Sequence, residues 1–280
     1  MQRQAGTLQR MPSANVNGHD LHFEQRGVGE PLLLIMGMSG THLSWGEPFL
    51  QLLERDFAVT AYDHRGVGKS SRTEPGYSIA DLADDAAGLL DQLGLDSAHV
   101  LGISMGGMVA QELALRHPEK IRTLAIGCSY SGGEGSALAP QSTLEKLQAG
   151  WSSGDRDQAI RAMWDVNVSA GFAKDEEVFA EFQRRAFELP VPMPVIMGQM
   201  QAIGGHDALD RLATITAPAL VVHGTDDQML PVANGHLIAQ TIPGATLEIL
   251  DGVGHLFWVE QPERSAQLVR DHARQGAAAN

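Results

Sequence analysis

Cysteine is almost missing from this 280-residue chain, which has only Cys128. No intramolecular disulfide can form, so a small secreted domain stapled by disulfides is excluded. Long apolar runs are missing too, and none approaches the roughly 20 residues needed to span a bilayer. Positive charge is short: 20 Lys and Arg stand against 34 Asp and Glu, a formal net charge of -14. An acidic surface repels phosphate backbones and removes the main driving term for nucleic-acid binding. The charge is sufficiently explained by solubility. The stretch Met1 to Arg10 is polar, carries two arginines and lacks the apolar centre of a signal peptide, which points to a cytoplasmic chain. It and the Ala-rich end, Gly276 to Asn280, read as frayed ends. No cysteine pair and no His–carboxylate cluster with convincing ligand spacing is visible, so neither a metal nor a cofactor is expected.

What the chain does have is a globular composition, 43 % hydrophobic, and room for one large α/β domain or one domain with an insertion. Leu32 to Ile35, Phe57 to Tyr62, Ala98 to Ile103 and Thr123 to Ile126 are short apolar runs, each bounded by Gly or a polar residue. They fit strands buried on both faces. Between the second and third, Ile79, Leu82, Ala83, Ala86, Leu89, Leu90 and Leu93 recur at helical spacing, with Ser78 as N-cap and Gly94 as stop. Met105 to Arg116 reads as another helix, ended by Pro118. Strand–helix alternation implies a mostly parallel sheet with right-handed crossovers. Residues 129–136 are rich in Gly and Ser and read as a hinge or loop. From Ser142 to about Leu212 the signals are helical, broken at Pro190 to Pro194. Strand signals return at Ala219 to His223 and Thr246 to Leu250. The division expected is therefore core in residues 1–128, a helical cap in 129–213, and core again in 214–280.

Gly102-Ile-Ser-Met-Gly106 has the form G-x-S-x-G and sits where a strand signal ends and a helix signal begins. A serine on such a tight turn is strained, and the flanking glycines allow strand and helix to approach closely. The following helix directs its N-terminus at the site, and the Met105 N–H is placed to donate to an oxyanion. The competing reading is an ordinary glycine-rich turn. A serine hydroxyl needs a base, and the base needs an acid to fix its tautomer. In Asp251-Gly-Val-Gly-His255, a loop following the last strand signal, His255 is the candidate base. Ligands meet an open α/β sheet at the C-terminal ends of its strands. His223 reads as structural and His117 as a helix-end residue, while His19, His22, His99 and His272 lack catalytic context. The acid is Asp226 or Asp227, adjacent in the loop after Ala219 to His223; either could instead cap the helix starting near Val232.

Taken together, Met36-Gly37, Asp63-His-Arg-Gly-Val-Gly-Lys-Ser70, Gly102 to Gly106, Gly224 to Pro231 and Gly254-His255 resemble the ordered motifs of the α/β-hydrolase superfamily. The resemblance spans nearly the whole chain. It implies the α/β-hydrolase fold and a Ser104–His255–Asp227 triad, the family's Gly-x-x-Asp spacing selecting Asp227. It also implies a second oxyanion donor, the Met38 N–H. Met36 departs from the family's usual His, but a backbone donor survives a side-chain change. Met36-Gly37 with the Asp63-His64-Arg65-Gly66 loop is similar to aclacinomycin methylesterase relatives, and the cap region to 3-oxoadipate enol-lactonases. Both imply hydrolysis of a carboxylic ester or lactone through an acyl-enzyme.

The small-molecule substrate expected has an apolar or aromatic group, because the cap region holds Trp151, Met163, Trp164, Phe172, Phe179, Phe182, Phe187, Met193, Met197 and Met200. Most of these belong to the cap's own core; Trp164 and Met197, with Gly37, are the substrate-contact candidates. Three other readings stand beside the esterase: a C–C bond hydrolase using the same triad, a haloperoxidase-like enzyme whose acyl-enzyme is intercepted by peroxide, and a non-catalytic small-molecule receptor. Ser at position 104 disfavours an aspartate-nucleophile dehalogenase or epoxide hydrolase. Gly66-Val-Gly-Lys-Ser70 imitates the end of a P-loop, but Asp63 stands where that motif needs glycine, so it reads as a structural turn.

Overall fold

The computed structural model describes residues 12–279, with side chains to residue 276. The stretch read as a frayed N-terminus lies outside the described residues. Eight strands form one sheet: β1 (Ser13–Val16), β2 (His19–Arg26), β3 (Glu30–Ile35), β4 (Phe57–Tyr62), β5 (Ala98–Ile103), β6 (Ile121–Gly127), β7 (Ala219–Gly224) and β8 (Thr246–Leu250). Their order is β1-β2-β4-β3-β5-β6-β7-β8. From β4 to β8 all neighbours are parallel; β2 alone pairs antiparallel with both β1 and β4.

Successive side chains of a strand point to opposite faces, so an unbroken apolar run feeds two cores at once. Leu33, Ile35, Val100, Leu124, Ile126 and Val221 face the helices α2 (Ile79–Gln92) and α3 (Met105–Arg116). Leu32, Leu34, Leu101, Ile103, Ala125 and Val222 share the opposite core with α1 (Glu47–Leu53) and α11 (Pro262–Ala279). Ser78 caps α2 in a capping box with Asp81. The Ala-rich end expected to fray is helical to Ala279, in keeping with alanine's helix propensity.

Between β6 and β7 the described residues hold no strand, only α4 (Gln141–Ser152), α5 (Arg156–Asn167), α6 (Glu176–Glu188), α7 (Met193–Gly204) and the one-turn α8 (Leu209–Leu212), besides a short 3₁₀ turn at Phe172–Lys174. The break expected at Pro190 to Pro194 separates α6 from α7, but it ends at Pro192, because Pro194 lies in the first turn of α7. The last two strands are each followed by a helix, α9 (Ala233–Thr241) after β7 and α10 (Phe257–Glu260) ahead of α11.

The hairpin β1–β2 was not legible as a pair of apolar runs. Burial alternates along β1, and the turn into β2 is Asn17-Gly18 with φ of 51° and 82°. Both positive values suit the two-residue turn that Asn-Gly favours.

Strand and helix backbones approach closely at the start of α3. A Cβ on Gly102 would lie 2.2 Å from the Gly106 carbonyl oxygen, and one on Gly106 would lie 2.0 Å from that of Ile35. Only hydrogens in these places let α3 sit on β3 and β5. We expect Gly106→Ala to cost about 1–3 kcal/mol of overpacking. For a chain of this size that lowers Tm by roughly 2–4 °C per kcal/mol. Gly171→Ala, where a Cβ meets nothing within 4 Å, should melt with the wild type when both are followed by circular dichroism.

Candidate active site

Ser104 lies between β5 and α3 with φ 54° and ψ -123°, a left-handed conformation unusual for a residue with a side chain. Its amide donates to the Gly127 carbonyl at the end of β6 (2.9 Å), and its carbonyl accepts from Gly107 and Met108, the first closed turn of α3, and from the Ser129 hydroxyl. The turn is thus held from both sides while the Ser104 side chain remains half-buried. Gly37 lies directly beside it: a Cβ there would be 3.0 Å from Ser104 Cβ.

The adjacent aspartates separate cleanly. Asp226 is exposed and its side chain meets only the Thr225 hydroxyl. Asp227 turns inward, its carboxylate fully buried. Oδ1 accepts from the Met229 and Leu230 amides at 2.8 and 2.9 Å. Oδ2 lies 2.7 Å from His255 Nδ1 and 3.2 Å from His223 Nε2. Burial opposes ionisation of Asp227, but the facing His255 and hydrogen bonds from His223 and His255 outweigh it and hold the carboxyl far below the usual range. An ionised carboxylate only accepts, so Nδ1 of His255 donates to Asp227, which leaves Nε2 as the ring nitrogen available to a neighbouring hydroxyl. No hydrogen bond joins the Ser104 hydroxyl to His255 among the described residues; such contacts are often loose before substrate binds.

His223, expected to be structural, therefore touches the acid as well. Its Nε2 also donates to the Leu230 carbonyl (2.7 Å), which fixes its tautomer. Glu260 is a further brace that the linear chain did not reveal. Its carboxylate accepts from the Gly254 amide (2.8 Å), the Ser169 amide (2.9 Å) and the Ser169 hydroxyl (2.6 Å). The Leu256 amide donates to the Asn167 carbonyl. The loop carrying His255 is thus fastened to the end of α5 and the residues just after it.

The Met38 and Met105 amides have no protein acceptor among the described residues. Both belong to turns that flank Ser104, and the Met105 amide is the first of α3, where the helix has no acceptor to offer. Met36, in place of the family's usual His, is buried in the apolar core. Its side chain packs over Gly40, and its carbonyl accepts from His64 Nε2 at 2.9 Å. The loop is pinned by that imidazole and by packing.

Trp164, expected at the substrate, is corrected by the structure. It is fully buried, its ring lies among Phe172, Phe179 and Phe182, and its indole N–H donates to the Ala173 carbonyl. No edge is left for a ligand, because four bulky aromatics are the insertion's own means of packing. Met197 is 56 % exposed on α7, between Met193 and Met200.

The loop resembling a P-loop wraps an anion of its own. The Lys69 amide donates to Asp63 Oδ2 (2.9 Å), the Ser70 hydroxyl donates to the Asp63 carbonyl (2.7 Å), and His42 Nδ1 donates to the same carboxylate. Two groups of metal-ligating types come together among the described residues: His22 with Glu24 and His42, and Cys128 with His223 and Asp227. In the first, Lys69 Nζ already stands 3.7 Å from the Glu24 oxygen. In the second, His223 Nε2 is committed to Leu230 and Asp227.

A family profile described as alpha/beta hydrolase fold matches residues 30–262. The chain belongs to this family. A protein of Azorhizobium caulinodans named, provisionally, carbamate hydrolase RutD is 30 % identical over 90 % of this chain and 94 % of its own length. Among solved structures, Est816, described as an N-acyl homoserine lactone degrading enzyme, is 31 % identical with a TM-score of 0.76, covering 93 % of this chain and 99 % of that one. The enol-lactonase of Burkholderia xenovorans LB400 is 26 % identical with a TM-score of 0.81, again covering 93 % and 99 %. Ser104 follows β5, Asp227 follows β7 and His255 follows β8, all at C-terminal strand ends. Among the described residues no helix is long and apolar enough to cross a membrane.

The depressed pKa of Asp227 has a signed consequence. A carboxyl whose folded pKa lies below its unfolded value, about 3.9, adds stability that is fully present above that value and is lost as pH falls through it. The Tm gap between wild type and Asp227→Asn should therefore be constant from pH 7 to about 5 and shrink as pH drops below about 4. Calorimetric melts of the two proteins at several pH values measure this gap.

Proposed function

We propose that the protein hydrolyses a carboxylic ester or lactone through an acyl-enzyme on Ser104. The observation that carries this reading is the pairing of a strained serine with two unpaired backbone donors and a buried Asp227–His255 pair, all at the C-terminal edge of one sheet. Esters and lactones are favoured by the names of the two solved neighbours, one acting on an N-acyl homoserine lactone and one an enol-lactonase.

In this reading His255 Nε2 takes the Ser104 hydroxyl proton as Oγ attacks the substrate carbonyl. The C=O electrons move onto oxygen, which receives the Met38 and Met105 N–H groups. Preorganised donors of this kind act where charge develops and typically contribute the largest single term. Asp227 holds the imidazolium that forms. As the tetrahedral adduct collapses, the C–O bond breaks and the leaving alkoxide takes the proton from His255. Water, deprotonated by His255, then releases the acid and restores Ser104. A lactone follows the same steps, with its hydroxyl remaining attached to the acyl group. No cofactor enters these steps.

The helices of residues 129–213 form a cap in this reading. Exposed Met193, Met197 and Met200 on α7 offer adaptable apolar surface, which suits an acyl or alcohol group with an apolar or aromatic part.

A fluorophosphonate should label Ser104 alone, located by peptide mass spectrometry, and Ser104→Ala should abolish turnover of a p-nitrophenyl ester panel. Label on another serine, with Ser104→Ala still active, contradicts the proposal. The acids separate by the same assay at pH 8: Asp227→Asn should lower kcat by up to about 10⁴, the scale of the equivalent change in a serine protease. Asp226→Asn should stay within about threefold, because it removes only an exposed loop contact.

A further inference from the structure

Gln199 is delivered by α7 to a position with no exposure to solvent. Its Oε1 accepts from the Ser39 amide at 2.8 Å. Its Nε2 is buried and has no partner among the described residues. Because the Ser39 N–H can only donate, the amide's orientation is set, and the unpaired end is the donor.

Ser39 is the hinge point of the turn beside Ser104. It has φ 57°, and the turn closes through the Gly40 amide donating to the Gly37 carbonyl at 3.2 Å. The Gly37 C=O and the Met38 N–H belong to one planar trans peptide and point in opposite directions. Whatever holds Gly37 O toward Gly40 therefore aims the Met38 N–H the other way. A residue with a side chain resists positive φ, so the turn needs an external hold. Among the described residues the Ser39 amide meets one protein acceptor, the Gln199 side chain.

We infer that Gln199 is a positioning residue: from the insertion it locks the Gly37–Gly40 turn and thereby the direction of the Met38 N–H. This rests on the esterase reading proposed above, in which that N–H meets the oxyanion. What the glutamine supplies here is the acceptor: an apolar side chain of similar volume would bury no unpaired Nε2 but would leave the Ser39 N–H without its partner. A different attachment of the insertion, at Ser169 and Glu260, steadies the His255 loop instead. Two loops on either side of Ser104 are thus each tied to the helices between β6 and β7.

The test compares full-length Gln199→Leu, which removes the acceptor at similar volume, with Gln199→Glu, which keeps one. Gln199→Leu should lower kcat for p-nitrophenyl butyrate about 10- to 100-fold with KM within threefold, the pattern of an interaction made only in the transition state. Its Tm should stay within a few degrees of wild type. Gln199→Glu should recover kcat to within about fivefold of wild type. Gln199→Met, with a flexible chain of similar reach, replaces the leucine variant should that fail to fold. Independently of any ester, hydrogen exchange should speed at least tenfold at residues 38–40 in the leucine or methionine variant and stay unchanged in β5. Unaltered exchange there, a change confined to KM, or a glutamate variant as impaired as leucine overturns the inference. A wild type that neither turns over esters nor takes the fluorophosphonate, with exchange still faster in the variant, would instead refute the esterase reading and leave the lock intact.

Discussion

One buried negative charge organises the C-terminal third of this protein. Asp227 cannot be ionised inside the fold unless donors surround it, and four do: two amides from its own loop and one nitrogen from each of His223 and His255. An ion stripped of water is tolerated only when its lone pairs are so met. The donors come from β7, from the chain entering α9 and from the loop after β8, so meeting the charge's needs fixes the relative placement of all three. Removing the charge relaxes that demand, and moving any one element leaves it unmet. The alignment of the His255 ring is a by-product of this solvation problem.

The helices between β6 and β7 are bound to the sheet by polar contacts at defined points and packed internally by aromatics. Trp164 with Phe172, Phe179 and Phe182 gives the insertion a centre that joins the core beneath. Gly254 lies so close to Val168 and Ser169 that a Cβ would sit 2.6 Å from the Val168 carbonyl carbon. Separation of the insertion from the sheet at that end would expose a Glu260 carboxylate that has three donors only while closed. The segment leading into these helices, residues 128–140, has no regular structure and is held instead by single contacts, among them the Asn234 side chain on the Ala137 amide and carbonyl.

The parallel strands and α2 and α3 were legible because burial on both faces writes itself as unbroken apolar runs, and burial on one face as a helical stripe. The β1–β2 hairpin escaped that search because it is an edge element, alternating polar and apolar, with its signal in Asn17-Gly18 and not in a run. The residues of the G-x-S-x-G turn and His255 could be found because local backbone geometry and loop position leave a local trace. Asp227 was separable from Asp226 only through a family spacing; the physical difference, one carboxylate buried and one exposed, exists only in three dimensions. Gln199, Ser169, Glu260 and the role of His223 left no trace in the chain, since each acts on a partner distant in sequence or through a neighbour's charge. Trp164 was misjudged because a large aromatic in an insertion serves a small core and a ligand pocket by the same hydrophobicity, and only its surroundings decide.

The solitary cysteine has a practical meaning. Cys128 is fully buried with φ 41°, and burial together with the nearby Asp227 charge pushes its thiol far above the usual range. A protonated, enclosed sulfur reacts slowly with electrophiles. The native chain is therefore a silent background for thiol chemistry. A cysteine introduced at exposed Met193 would be the one reactive thiol on the folded protein, and a fluorophore or spin label placed there would report on α7 without removal of any native residue beneath it.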